Sequence, residues 1–224
     1  MLIPLQKASQ DRCGAKAATL SVLLRANMPV PDGFVVPFSV TQGTEAGRQP
    51  AWDEARRVAV AHELRRMGDP VMAVRSSAAK EDAQGASAAG QYESVLGVQG
   101  GSDVCKAITA CQASASTSLV ADYWKRSTGQ IVDYSSGMAV LVQRMIAADV
   151  SGVMFTPGPG EQSTTIEASW GLGPAVVGGV VTPDSYEVGM DGAVRYTIGD
   201  KDTRIDLDVL TTEVGDTRWG AGHR

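Results

Sequence analysis

The chain has 224 residues, of which 43% are hydrophobic and 20% are charged, a composition typical of a globular protein and not of a disordered one. This length is enough for one large domain or for two lobes around a cleft. A net charge of −5, with no basic run longer than two residues, argues against non-specific binding to nucleic acid.

The N-terminus and the cysteines favour a cytoplasmic protein. The first twelve residues contain neither a basic segment nor a long apolar core, so we expect no signal peptide. The longest apolar stretches are far shorter than the roughly 20 residues that span a bilayer. Cys13, Cys105 and Cys111 form no CxxC pair and are expected to be reduced thiols. With only His62 and His223, a histidine-rich metal centre is excluded.

Apolar periodicity and turn residues predict the elements of the first part of the chain. In order, they are a helix that starts near Gly14 and runs through Lys16–Ala26, a strand at Gly33–Val36, a loop at Thr41–Pro50, a helix over Trp52–Met67, a strand at Val71–Val74, a small-residue loop at Ser76–Gly90, a strand at Tyr92–Val98 and a helix over Ser102–Ser127. The second helix is expected to bury Val58, Ala61 and Leu64.

The second part of the chain is predicted to be rich in strands. These are Met138–Met145, Gly152–Phe155, Thr164–Ser169, and a hairpin of Ser185–Val188 with Val194–Ile198 around the Asp191-Gly192 turn. Because helices come early and strands late, the pattern favours an α+β fold. We expect an N-terminal lobe over residues 1–137 with a phosphate-handling loop, and a C-terminal lobe over residues 138–224 with an adenine-side strand.

The segment from Ala73 to Gln91 is the first candidate for chemistry. Arg75 ends an apolar strand, and the run of small residues behind it lets backbone N–H groups approach phosphate oxygens closely. A flexible surface loop would have the same composition, so on composition alone the two interpretations have about equal weight.

Three further positions have both a functional and a structural interpretation. Lys16 begins a helix and either neutralises phosphate or is simply solvated. The backbone at Gln143 and Met145 leaves an apolar strand, as an adenine-binding segment does, but polar strand ends are common. Glu167 enters the glycine turn WGLG, where a carboxylate either contacts a ribose or metal or caps the turn.

The order and wording of these segments resemble the ATP-binding domain of the pyruvate phosphate dikinase and phosphoenolpyruvate synthase family. The resemblance rests on GAKAATL with MPVPDGFVV, on the segment from Ala73 to Gln91, on VLVQRMIAADVSGVMFT, and on IEASWGLGPAVVGGVVTPD. The blocks occur in the family's order and span most of the chain. Rifampin phosphotransferase, of the same group, is about equally similar in wording.

The resemblance implies an ATP-grasp-like fold that holds Mg-ATP between two lobes. Carried over by motif, Lys16 and Arg75 would contact phosphates, with Arg75 also acting in catalysis. The other implied roles are closure over the transferring phosphoryl group by Gly90 and Gln91, adenine binding by Gln143 and Met145, and a nearby position for Glu167. Phosphoryl transfer needs mainly positioning and charge neutralisation, which these residues with Mg²⁺ would supply.

The sequence departs from the family pattern in two respects. It has neither the acidic-Trp motif nor the Gln-x-Arg-Pro ending that the family associates with magnesium and phosphates, so we expect an incomplete second lobe and assign no metal ligands. Neither His62 nor His223 has the surroundings of a phosphohistidine. We therefore expect a partner chain that carries the phosphohistidine and acceptor domains.

The favoured interpretation is the ATP-binding part of a phosphoenolpyruvate synthase-like phosphotransferase, which transfers a phosphoryl group to a histidine carrier or small acceptor. Two alternatives stay open: a non-catalytic nucleotide-binding or truncated ATP-grasp module, and a stand-alone small-molecule kinase. The acceptor, and whether the β- or γ-phosphate is transferred, are not readable from the sequence.

Overall fold

The computed structural model describes residues 1–41, 53–79, 82–83, 86–87, 94–114 and 138–207. The chain divides into two compact units, the first ending at Met145 and the second beginning at Ile146. This boundary differs from the one predicted after residue 137, because the strand that follows that position belongs to the sheet of the first unit. Helices combined with antiparallel sheets agree with the predicted α+β class.

The first unit contains one principal sheet. Its elements are β1 (Ile3–Pro4), a 3-10 helix (Leu5–Lys7), α1 (Gln10–Arg25), β2 (Gly33–Val36), α2 (Phe38–Thr41), α3 (Glu54–Arg66), β3 (Met72–Ser77), β4 (Asp82–Ala83), β5 (Ala86–Ser87), β6 (Ser94–Val98), α4 (Gly101–Ser114) and β7 (Ala139–Arg144). The sheet order is β1-β2-β7-β3-β6, and every neighbouring pair is antiparallel. β4 and β5 form a separate pair.

Helices cover both faces of this sheet. On one face, α3 and α4 pack over residues such as Phe34, Val74 and Val140. The other, which we call the α1 face, carries Val35 and Leu141 against α1 and the 3-10 helix. Since adjacent strand residues point to opposite faces, burial on both sides explains why β2 and β7 read as unbroken apolar runs.

The two long helices near the N-terminus differ from the sequence prediction in detail. α1 begins at Gln10, earlier than expected, and contains a break at Gly14. Asn27 lies just beyond its end with φ 58°, the left-handed conformation that commonly terminates a helix. α3 buries Val60 and Leu64, whereas Val58 is 53% exposed, so the predicted stripe was wrong at Val58. Two helical stripes share Leu64, and packing against α4 selects the one through Val60.

Two predicted segments are only partly described. α4 is established as far as Ser114, and the remainder of the predicted helix lies outside the described residues. The predicted loop at Thr41–Pro50 begins with the last residue of α2, and its other residues also lie outside them.

The second unit is built on a four-stranded antiparallel sheet. Its elements are β8 (Val150–Phe155), β9 (Ser163–Trp170), α5 (Pro174–Val177), β10 (Asp184–Gly189) and β11 (Val194–Thr197), and the sheet order is β11-β10-β9-β8. The predicted hairpin is confirmed as β10–β11, with Gly192 in the turn at φ 80°.

The two faces of the second sheet differ in chemistry. The register aligns Glu167 with Val153 and Ser185 on a mainly polar face. The opposite face is mainly apolar, and several of its side chains are more than half exposed: Val150, Met154, Trp170, Val194 and Tyr196.

All three cysteines are free and buried. Burial raises the pKa of the Cys13 and Cys105 thiols above the usual value, so both stay protonated at neutral pH. The side chain of His62 is 71% exposed. Within the described ranges, no helix has the length and apolar character needed to cross a membrane.

The α3 stripe provides a matched test of the first core. Val60→Ala removes two methyl groups from a fully buried site and should lower the free energy of unfolding by about 2 kcal/mol. Val58→Ala makes the same chemical change in the same helix at an exposed site and should change it by less than about 0.5 kcal/mol. Urea denaturation followed by circular dichroism measures both, and equal losses would contradict the observed orientation of α3.

Candidate functional site

Arg75 lies on the α1 face of the first sheet. On β3 it is aligned with Leu141, which packs in the cluster beneath α1, so the two side chains share that face. Gln143 is aligned with Ala73, the residue two positions before Arg75, and is therefore a diagonal neighbour of Arg75 on the same face. The register thus brings together two residues that the sequence predicted for one nucleotide site.

Lys16 reaches the end of the same strand from α1. Its Nζ donates a hydrogen bond to the carbonyl oxygen of Ser76 at 2.9 Å, and the side chain is half-buried. Ser76 directly follows Arg75, so the ammonium group lies at the backbone next to the guanidinium-bearing residue. The two predicted phosphate-binding cations therefore converge at the end of β3.

A close contact between α1 and the end of β3 fixes this arrangement. Gly14 interrupts the helix with φ 81° and ψ 169°, and a new helical segment starts after it. The N–H of Ala15 donates to the Ala78 carbonyl at 2.8 Å, and the N–H of Ala17 donates to Ser77 Oγ at 3.2 Å. We call these five residues the α1–β3 clasp.

The clasp changes the expected use of the helix N-terminus. The first N–H groups of a helix have no partner within it and are available to anions. Here the N–H of Ala17 already donates to Ser77, the last residue of β3, and the N–H of Ala15 donates to Ala78, which directly follows the strand. A phosphate at this helix start would therefore be bound by the Lys16 ammonium group and not by these two backbone N–H groups.

Two donors of the predicted adenine segment also make hydrogen bonds within the first unit. Gln143 is 7% exposed, and its Nε2 donates to the Pro31 carbonyl at 2.9 Å. The N–H of Met145 donates to the Val71 carbonyl at 2.9 Å. In this conformation the Met145 N–H is not open to an adenine edge, and the half-buried Met145 side chain offers apolar contact instead.

Glu167 is a mid-strand residue and not a cap of the glycine turn. It lies three positions before the end of β9, between Val153 and Ser185 of the neighbouring strands. The turn is held by other groups, since Gly171 N–H donates to the Asp149 carbonyl and Leu172 N–H donates to the Ile205 carbonyl, each at 2.8 Å. The capping alternative is therefore wrong, and the half-buried carboxylate points from the polar face of the second sheet.

Two hydroxyl groups beside Glu167 have unmet hydrogen-bonding capacity. Ser151 and Ser169 are aligned across β8 and β9 on the polar face, and the Oγ atoms of both are buried. Neither finds a hydrogen-bond partner within the part of the chain that the structure describes. Buried hydroxyls normally have a partner, so this end of the polar face can accept a further polar group or a water.

The phosphate loop is only partly described. β3 continues through Ser76 and Ser77, so the first two residues of the predicted loop are strand. Gly90 and Gln91, the predicted closure over the phosphoryl group, lie outside the described residues.

The sequence did not identify an ion pair that ties the second unit together. Lys201 Nζ donates to Asp184 Oδ1, and the two side chains are 8% and 16% exposed. Gly199 N–H donates to the same oxygen at 2.9 Å. The bond from Lys201, reinforced by Gly199, holds the pKa of Asp184 below its usual value.

A depression near this ion pair is less suited to phosphate than the end of β3. It lies between Trp170 and residues 199–204. Lys201 is neutralised by Asp184, and Arg204 lies 2.6 Å from Asp206 and 3.6 Å from Asp149. Its cations are thus balanced by carboxylates.

Metal binding has no preformed protein cluster in the part described. No group of three His, Cys, Asp or Glu side chains among those residues could hold a metal ion. Nucleotide sites commonly bind Mg²⁺ through one or two carboxylates together with phosphate oxygens, which requires no such cluster.

Asp184→Asn tests the ion pair through its pH dependence. Since the folded-state pKa of Asp184 is lowered, the stabilisation is present above the ordinary value of 3.8 and is lost as the pH falls through the folded pKa. We expect a lower Tm than wild type at neutral pH and a smaller further decrease in acid.

Thermal unfolding by circular dichroism across this pH range measures both effects. Asp202→Asn, at an exposed site on the same segment, is the matched control and should behave as wild type. An unchanged Tm for Asp184→Asn at neutral pH would contradict a stabilising role for the pair.

Comparison with known proteins identifies similar sequences. A family model described as the pyruvate phosphate dikinase AMP/ATP-binding domain matches residues 52–218. A probable phosphoenolpyruvate synthase of Methanothermobacter thermautotrophicus is 35% identical over 248 residues, covering 90% of this chain and 36% of the relative. The phosphoenolpyruvate synthase of Aeropyrum pernix is 34% identical, covering 93% of this chain and 31% of the relative.

A third relative is the uncharacterized phosphotransferase YvkC of Bacillus subtilis, 33% identical, with 88% of this chain and 26% of the relative covered. The chain therefore spans about a third or less of the length of these relatives.

Proposed function

Because the chain belongs to the pyruvate phosphate dikinase AMP/ATP-binding domain family, we propose that it binds Mg-ATP and delivers a phosphoryl group to a histidine carrier or a small acceptor. The family is one of ATP-binding phosphotransferases, in agreement with the resemblance read from the sequence. The structural observation that best supports the proposal is that Lys16 and Arg75 lie together at the end of β3.

The two cations suit different parts of a polyphosphate. Arg75 offers a planar fork of donors that can bind two phosphate oxygens at once, whereas Lys16 is a compact point charge. Both are half-buried, so their interaction with phosphate is screened less than it would be on an open surface. Phosphoryl transfer depends mainly on such neutralisation and positioning, which is why this pair supports the proposal.

The adenine and ribose contacts follow from the same family likeness. Gln143 shares the α1 face with Arg75, and Met145 offers an apolar side chain beyond the end of β7. In the second unit, Glu167 is the carboxylate predicted near the nucleotide. The buried hydroxyls of Ser151 and Ser169 lie on the same face, have no hydrogen-bond partner among the described residues, and so support a polar ligand there. Gly90 and Gln91 remain the proposed closure over the transferring group.

We propose an ATP-grasp-like fold for the family domain, in line with two units that each have an antiparallel sheet. Magnesium would be bound chiefly through the phosphate oxygens and would add charge neutralisation there.

We propose that the site for the phosphoryl acceptor lies outside the segment that this chain shares with its relatives. Two relatives are named phosphoenolpyruvate synthases, and each extends well past the matched segment. We propose that a phosphohistidine domain and an acceptor domain, on a partner chain, complete the reaction in the cytoplasm.

Lys16→Ala and Arg75→Ala test the phosphate contacts. Each removes a charged donor, so each should raise the Kd for Mg-ATP at least about tenfold, the equivalent of about 1.4 kcal/mol. Isothermal titration calorimetry, with and without magnesium, measures the affinity and its metal dependence.

Lys106→Ala and Arg66→Ala are the matched controls, because both cations lie in exposed ion pairs on α4 and α3. They should leave the Kd unchanged. Equal affinities for wild type, Lys16→Ala and Arg75→Ala would reject the proposed contacts.

Turnover distinguishes transfer from binding alone. ³¹P NMR of Mg-ATP with the protein and a candidate acceptor should report formation of a phosphorylated product. Tight ATP binding with no turnover, whatever acceptor or histidine domain is supplied, would favour the non-catalytic module. Rapid transfer directly to a small acceptor would favour the stand-alone kinase.

A further inference from the structure

Ser77 is a fully buried polar residue at the junction of the two cation-bearing elements. Its hydroxyl lies on the α1 face, because Ser77 is two positions beyond Arg75 on β3. It accepts the hydrogen bond of Ala17 N–H at 3.2 Å, and Ala17 is the residue next to Lys16. One side chain therefore connects the backbone of the Lys16 segment to the strand that carries Arg75.

On the α1 side of this contact, at Gly14, there is no room for a side chain. A Cβ built on Gly14 would lie 2.3 Å from the Ser77 carbonyl oxygen and 2.5 Å from Ser77 Oγ. The positive φ of Gly14 is also rarely adopted by other residues. The backbone of α1 is thus pressed directly against both the carbonyl group and the hydroxyl of Ser77.

This contact determines where the Lys16 ammonium group can go. A lysine has four flexible side-chain torsions, so fixing its backbone and its Nζ together removes much of the freedom that ligand binding would otherwise have to remove. Here the backbone is fixed through Ala17 and Ala15, and Nζ is held by the Ser76 carbonyl at 2.9 Å.

We propose that Ser77 is a positioning residue for nucleotide binding, which holds the Lys16 ammonium group beside Arg75 before the phosphates arrive. The inference rests on the proposed function and adds to it a residue that contacts no ligand. Its effect passes through Lys16, so it should disappear when the lysine side chain is absent.

A double-mutant cycle with Ser77→Ala and Lys16→Ala tests this coupling. Ser77→Ala removes only the hydroxyl and should raise the Kd for Mg-ATP about fivefold, the effect of about one lost hydrogen bond. In the Lys16→Ala background, the same change should leave the Kd unaltered, because the group that Ser77 positions is gone. Calorimetry gives the four affinities, and additive effects would overturn the proposal.

Ser21→Ala is the matched control for general destabilisation. Ser21 is also fully buried, lies on α1, and has a hydroxyl that donates to the Gln6 carbonyl at 2.8 Å. It should lower the Tm about as much as Ser77→Ala and leave the Kd unchanged. A Kd that rises equally in both variants would mean that Ser77 acts only through stability.

A second measurement needs no nucleotide. Acylation of the wild-type protein by an amine-reactive ester, quantified for the Lys16 peptide by mass spectrometry, should be slow and should accelerate severalfold in Ser77→Ala but not in Ser21→Ala. An unchanged Lys16 rate would overturn the positioning role. If wild type binds no Mg-ATP, the proposed function itself fails, whereas ATP binding with no coupling to Ser77 defeats only this inference.

Discussion

Strand β7 pairs with β2 on one side and with β3 on the other, while helices cover both of its faces. Its register decides which residues of the neighbouring strands share a face, since a slip by one residue would move every side chain to the opposite side. The observed register puts Arg75 and Gln143 on the α1 face and leaves Val74 and Val142 to the other core. The charged site and the apolar core are therefore two results of one pairing.

The junction of α1 with β3 adds the second cation to that face. The backbone of α1 comes so close to Ser77 at residue 14 that a side chain there would collide with it, so this contact requires a glycine. The break gives the following segment its own N-terminus, and Ser77 and Ala78, at the end of β3 and just after it, each accept a hydrogen bond from one of its N–H groups. The backbone of this segment is thus fixed by its own hydrogen bonds, and the Lys16 ammonium group is held separately by the Ser76 carbonyl.

Much of the fold was predictable because periodicity and turn residues are local signals. Short stretches of sequence account for the apolar runs of β2 and β7, the β10–β11 hairpin and the end of α1 just before Asn27. The choice between Val58 and Val60 was not predictable, since it depends on which stripe meets α4.

Within the candidate site, Lys16 and Arg75 could be predicted from motif resemblance, and their convergence agrees with it. The engagement of Gln143 with Pro31 depends on tertiary contact over 112 residues, beyond the reach of a local pattern. The same holds for the Asp184–Lys201 pair and for Ser77, whose neighbour Gly14 is adjacent only after folding. A run of small residues indicates that another group can approach the backbone closely, but the sequence does not show which group does so.

The position of β7 in the chain also bears on how the first unit is made. β2 and β3 emerge during synthesis long before the strand that joins them, which begins only at Ala139. Until then the apolar side chains of β2, such as Phe34 and Val35, lack their central neighbour, and the sheet cannot close. Long-range pairing of this kind slows folding and prolongs the exposure of apolar, unpaired strands. The first unit therefore cannot complete its sheet until its last strand has been synthesised.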